Sequence, residues 1–101
     1  MTRESALQAL FIRRQLIDAV DTRILALLNE RACIAEQIGQ IKQQADLPIY
    51  EPKREDMVFQ NVLSNNSGPL TPDAVRRVFE RIIDEMRKVQ SDRMSANKDT
   101  K

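Results

Sequence analysis

The chain contains no histidine, one cysteine and two glycines among 101 residues, and each shortage removes a class of chemistry. Without His there is no Ser-His or Cys-His relay and no His-bearing zinc site. With Cys33 alone there is neither a CxxC motif nor a disulfide framework, which fits a reducing cytoplasm. Gly39 and Gly68 stand far apart, so the Gly-rich loops that cradle phosphates are absent. A net charge of +1, from 16 basic and 15 acidic groups, gives no electrostatic case for nucleic acid or an anionic membrane as partner. No apolar run approaches the ~20 residues of a membrane span. The opening "MTRESALQALFIRRQ" lacks the uninterrupted apolar core and cleavage site of a signal peptide. The tools left are Arg, Lys, carboxylates and amides. They point to electrostatics and positioning, and away from covalent catalysis.

What is present is helical periodicity. Residues 5–45 carry two seven-residue series, Leu10, Ile17, Ile24, Arg31, Ile38 and Leu7, Arg14, Asp21, Leu28, Ala35, Lys42, which predict one long helix. Pro48 and Pro52 in "DLPIYEP" end it, because proline lacks the N–H a helix interior needs and disfavours helix at the preceding residue. A second helix opens near Pro52 or Lys53, with Met57, Val58, Val62 and Leu63 as its buried residues. "SNNSGPL" at 64–70 is a loop by composition. "LTPDAV" then carries a start signature, with Thr71 as N-cap, Pro72 at the first helical position and Asp73 near the positive dipole end. The third helix places Val75, Val78, Phe79, Ile82, Ile83, Met86 and Val89 at three- and four-residue spacing.

The pattern therefore predicts an all-α chain of three helices, one long and two shorter. Residues 1–90 make a single domain, and the polar stretch 91–101, "SDRMSANKDTK", is expected to fray. A helix of about forty residues spans roughly 60 Å, more than a compact domain of this size should measure. Pairing with a second copy would cover its projecting apolar stripe, so an intertwined homodimeric bundle is expected.

Four polar residues interrupt apolar faces. Arg31 has Leu27, Leu28, Ile34 and Ala35 one turn away on either side, and Ile24 and Ile38 two turns away. Lys42 returns to nearly the same face, with Ile38 and Ala35 behind it. Arg14 lies among Leu10, Phe11 and Ile17, with Asp18 and Asp21 also within reach, and periodicity alone does not choose between it and Arg13. Gln90 closes the stripe Phe79, Ile83, Met86. Two readings stand side by side. The long cations snorkel to water or pair with Asp18, Asp21 or Glu55, or they await an anion, because a buried unpaired charge is costly. Arg31 and Lys42, roughly 16 Å apart along a helix, could converge on one small ligand. Arg14 and Arg31, at roughly 25 Å, could not, so Arg14 would have to join from a second chain.

The segments "LIDAVDTRILALLNERACIAEQIGQIK", "PIYEPKRE" and "NNSGPLTPDAVRRVFERIIDEMRKVQ" resemble the all-helical (AroQ-type) chorismate mutases from about Leu7 to Gln90. The resemblance implies conversion of chorismate to prephenate, toward phenylalanine and tyrosine, by a unimolecular [3,3] Claisen rearrangement. That reaction needs no nucleophile, metal or cofactor, and its dianionic substrate would supply the missing anion. Carried over by position, Arg31 would bind one substrate carboxylate and Arg14 of a partner subunit the other, as bidentate forks holding the reactive conformer. Lys42 and Gln90 would hydrogen-bond the ether oxygen as its bond to the ring breaks. Glu55 would accept from the ring hydroxyl, the Glu51 backbone would touch the same group, and Arg54 would line the pocket. Helix-start charge complementarity accounts nearly as well for Glu51 and Arg54.

Two departures from the family pattern stand out. Met86 occupies a position where some relatives place a small polar residue against the substrate, and position 51 is Glu where Asp is frequent. The chain reads as a monofunctional cytoplasmic enzyme, too short to include a fused dehydratase or dehydrogenase. The alternatives are an isochorismate pyruvate lyase-like pericyclic enzyme and a non-catalytic helical dimer that binds a metabolite for regulation.

Overall fold

The computed structural model describes the main chain of residues 1–99 and the side chains of residues 1–95. Three helices appear, α1 (Arg3–Gln44), α2 (Pro52–Ser64) and α3 (Pro72–Asp99), with no strand among the described residues. None of the helices described is long and apolar enough to cross a membrane. The chain divides into two compact units, Met1–Arg31 and Ala32–Lys101.

The first unit is helical from Arg3 onward. Thr2 caps it: its hydroxyl oxygen accepts from the Ser5 N–H at 3.1 Å, and its carbonyl accepts from the Ala6 N–H at 3.0 Å. The helix thus opens two residues before the position expected from periodicity, because a Thr cap satisfies donors of the first turn. No residue of this unit is buried. Phe11, Leu16, Ile17, Leu25 and Leu27 are each 57–63% exposed. A helix in water draws most of its stability from packing an apolar face, and here that face is open in the single chain.

In the second unit the end of α1 is built by a left-handed residue. Asp46 has φ 55°, the Leu47 N–H bonds the Lys42 carbonyl at 2.7 Å, and the Asp46 N–H bonds the Gln43 carbonyl at 3.4 Å. These are the two bonds of a Schellman motif, with Asp in the place glycine usually takes. Pro52 opens α2 at its first turn with Glu51 as the N-cap residue. Asn65 closes α2, its side-chain amide donating to the Asn61 carbonyl at 2.7 Å. Thr71 caps α3 as expected, accepting from the Ala74 N–H at 3.1 Å on its hydroxyl oxygen and from the Val75 N–H at 3.0 Å on its carbonyl.

Packing in this unit centres on Ala35, Val75, Ile83 and Met86, all buried. α2 lies on α3, with the Arg76 guanidinium 4.8 Å from the centre of the Phe59 ring. Two expectations need correction. Met57 and Val78, expected on buried faces, are each 52% exposed, while Val58, Val62 and Leu63 are half-buried. α3 also does not stop near Gln90 but continues to Asp99, since Ser91–Asp99 contains no Gly or Pro to break it. Of the stretch expected to fray, Thr100 and Lys101 lie outside the described residues.

Gly39 sets the approach of α1 to α3. A β-carbon there would sit 3.2 Å from the Gln90 Cα, 3.3 Å from its Cβ and 3.3 Å from its carbonyl oxygen. Two of those atoms are main chain, so the helices themselves must move to admit a methyl group. Gly39→Ala is therefore expected to lower stability by about 1–2 kcal/mol, although alanine alone would favour the helix by ~1 kcal/mol. Urea unfolding of the two proteins checks this, and an unchanged or raised midpoint would show that the contact yields freely.

Candidate active site

Lys42 reaches the last turn of α1 on the side that packs inward, and its residue is only 5% exposed. Its ammonium has three donors and three acceptors surround it. The Nζ lies 2.9 Å from the Ile49 carbonyl, 3.0 Å from Gln90 Oε1 and 2.8 Å from Glu51 Oε1. The sequence explains why they converge. Helix periodicity puts Gln90 on the buried stripe of α3, opposite Gly39, and the turn through Asp46 brings Ile49 and Glu51 back beside Lys42.

Gln90 is also buried, at 9% exposure. Lysine can only donate, so the amide oxygen must face Nζ and the Gln90 NH₂ must face elsewhere. The pair thus brings two kinds of donor, an ammonium and an amide NH₂, into one buried place. Met86, one turn before Gln90, is buried in the same stripe and offers a thioether where a hydrogen bond would need N or O.

A second group flanks this one. Glu55, in the first turn of α2, has its side chain 21% exposed, and its Oε2 lies 3.2 Å from Arg87 Nε. Arg87 also bonds Asp84 Oδ1 at 2.6 Å and lies with its guanidinium carbon 5.6 Å from the centre of the Tyr50 ring. Arg87 and Tyr50 are not among the residues that the sequence singles out. The one signal available is spacing, because Arg87 is three residues before Gln90 and three after Asp84 on a helix.

The remaining predicted residues are distributed as follows. Arg54 is exposed on α2, and Arg14 is exposed in the first unit. Arg31, the last residue of the first unit, is half-buried and engaged in an interaction. Of the eight residues expected at the site, the structure directly joins Lys42, Gln90 and Glu51. The expectation for Glu51 concerned its backbone; its carboxylate is the group found on Lys42.

Residues 13–91 match the family described as chorismate mutase type II. The chain belongs to that family. Among curated chorismate mutase relatives, the bifunctional chorismate mutase/prephenate dehydratase of Aquifex aeolicus is 42% identical over 74 residues, covering 69% of this chain and 20% of that protein. The chorismate mutase of Methanocaldococcus jannaschii is 37% identical over 49 residues, covering 48% of this chain and 50% of that one. A solved chorismate mutase structure from Thermus thermophilus superposes with a TM-score of 0.78 at 31% identity, covering 85% of this chain and 94% of that chain. The chain spans only about a fifth of the length of the bifunctional relatives.

The Arg87–Glu55 pair beside the site and the exposed i,i+4 pair Arg81–Glu85 on α3 differ in burial, and their worth should differ accordingly. Arg87–Glu55 has side chains 39% and 21% exposed, against 77% and 51% for Arg81–Glu85. Double-mutant cycles with Gln for Glu and Met for Arg are expected to give a coupling of about 0.5–1 kcal/mol for the first pair and about 0.3 kcal/mol for the second. Equal couplings would mean that Arg87 does not anchor Glu55.

Proposed function

We propose that the chain is a chorismate mutase, converting chorismate to prephenate in the route to phenylalanine and tyrosine. The observation that carries this reading is the buried Lys42–Gln90 pair in a chain of this family. In the rearrangement the ether C–O bond breaks while a new C–C bond forms within the same molecule. No proton changes hands, and negative charge grows on the ether oxygen in the transition state. The Lys42 ammonium and the Gln90 NH₂ are the donors for that oxygen. In a dry site a fixed donor of this kind lowers the barrier by about 3 kcal/mol.

Arg31 holds one carboxylate of the dianion and Arg14 of a second copy holds the other, each as a planar fork that fixes the reactive conformer. Glu55, steadied by Arg87, accepts from the ring hydroxyl, with the Glu51 backbone beside it and Arg54 at the rim. Met86 contributes shape only. Assembly as an intertwined homodimer is supported by the apolar face of the first unit, where Leu7, Leu10, Phe11, Ile17 and Ile24 are 45–62% exposed. Patches of that kind mark interaction surfaces. A cytoplasmic place of action is in keeping with the exposed free thiol of Cys33.

Loss of chorismate absorbance with formation of prephenate, run beside a parallel assay for pyruvate and salicylate from isochorismate, tests the activity. Wild type is expected to yield prephenate, and Arg31→Ala and Lys42→Ala to lose at least ~100-fold in kcat/KM. A folded wild-type dimer that leaves chorismate untouched refutes the reading, and pyruvate with salicylate formed from isochorismate in its place converts it to the lyase. The shared site has its own test. Arg14→Ala and Arg31→Ala are inactive alone, but after subunit exchange one site in four carries both arginines, so about a quarter of wild-type activity should return. No recovery after proven exchange places both arginines in one subunit's site.

A further inference from the structure

Every N–H of the Lys42 ammonium is already used within the chain itself: Ile49 O, Gln90 Oε1 and Glu51 Oε1 all lie within 3.0 Å. A substrate oxygen can therefore bond Nζ only if one of the three acceptors leaves. The three are not equivalent. The Ile49 carbonyl is main chain, fixed by the turn that ends α1. Gln90 is 9% exposed and held against Gly39. The Glu51 side chain is 49% exposed and makes no capping bond to α2, so it can swing into water and be rehydrated there. It is also the only one of the three with a negative charge, and hence the one an incoming dianion repels.

We infer that the Glu51 carboxylate is an internal counter-anion that occupies the substrate-facing donor of Lys42 and is exchanged for substrate on binding. The identity of the incoming anion rests on the proposed chorismate reaction; the exchange itself rests on the geometry at Nζ. Two consequences follow. Before substrate arrives the ammonium has a counter-charge beside its two neutral acceptors, so the buried charge is compensated. Binding is also taxed, because an anion must out-compete a carboxylate tethered to the same site. Ligands that bring further anionic contacts offset that tax, and small anions with one contact carry it in full. Glu51 is thus a specificity-determining residue through its side chain.

The test compares wild type with Glu51→Gln, which keeps the shape and removes the charge, and Glu51→Ala, which removes the acceptor. Inorganic sulfate is titrated into each protein while the ¹⁵N resonance of the Lys42 side-chain ammonium is followed, and initial rates are measured with chorismate. Both variants should bind sulfate roughly two- to fivefold more tightly, the range set by a partly exposed ion pair, and KM for chorismate should fall by a similar factor. Sulfate affinity that is unchanged or weaker overturns the inference, as does a KM that rises in Glu51→Gln. If Glu51→Ala fails to fold, Glu51→Gln decides between these outcomes by itself. A wild type that binds sulfate at Lys42 but leaves chorismate unchanged refutes the enzymatic reading and leaves the exchange to be judged by the sulfate affinities alone.

Discussion

A single ammonium group ties the second unit together. Lys42 belongs to α1, Gln90 to α3, and Ile49 and Glu51 to the connection that precedes α2, yet all meet at one nitrogen. Burying a lysine is costly unless each donor is met, so the group demands that these segments arrive together. The same requirement that organises the fold leaves a positive charge and an amide donor in a water-poor place. On the proposed reading, stability and chemistry are served by one set of contacts. That economy is open to a chain with no histidine and one cysteine.

The close approach at Gly39 is the mechanical counterpart of this contact. Lys42 is one turn beyond Gly39, and the Gln90 main chain is what a β-carbon at Gly39 would meet. Helix spacing is therefore set by main-chain contact at the level of the hydrogen bond it serves. Side chains in packed interiors transmit small displacements rather than absorbing them, so the distance between Nζ and Oε1 follows the helix separation closely.

Much of this is legible in the sequence, for identifiable reasons. Helix ends with strong chemistry are placed well: Thr71–Pro72 at the start of α3 and Pro52 at the start of α2. The polar interruptions at Lys42 and Gln90 are visible because each breaks an apolar stripe, and the structure brings the two together. The end of α3 is missed because polar composition suggests a tail, whereas helix termination needs a breaker, and none occurs before Asp99. Met57 and Val78 fall on buried faces by periodicity, which gives a face but not its edges. Arg87 escapes notice because its partners Glu55 and Tyr50 come from other segments. The apolar frame of Arg31 is a further lesson, since Ile24, Leu27, Ile34 and Ile38 keep 47%, 63%, 49% and 40% of their exposure in the single chain. Sequence neighbours define a stripe; only a partner surface turns it into an enclosure.

The two inter-helix connections are equal in length, residues 45–51 and 65–71, but not in freedom. The second is held by local bonds, such as the Asn66 side chain to the Leu70 carbonyl at 2.8 Å. Its ends are fixed by caps that belong to the helices themselves. Added residues there cost little beyond loop entropy, which grows slowly with length. The first carries two of the three acceptors of Lys42, so its length is a dimension of the site. A single inserted residue between Asp46 and Ile49 would shift a carbonyl and a carboxylate away from the ammonium together. Natural variation in chain length, and any engineered insertion of a reporter segment, should accordingly gather at 65–71 and avoid 45–51.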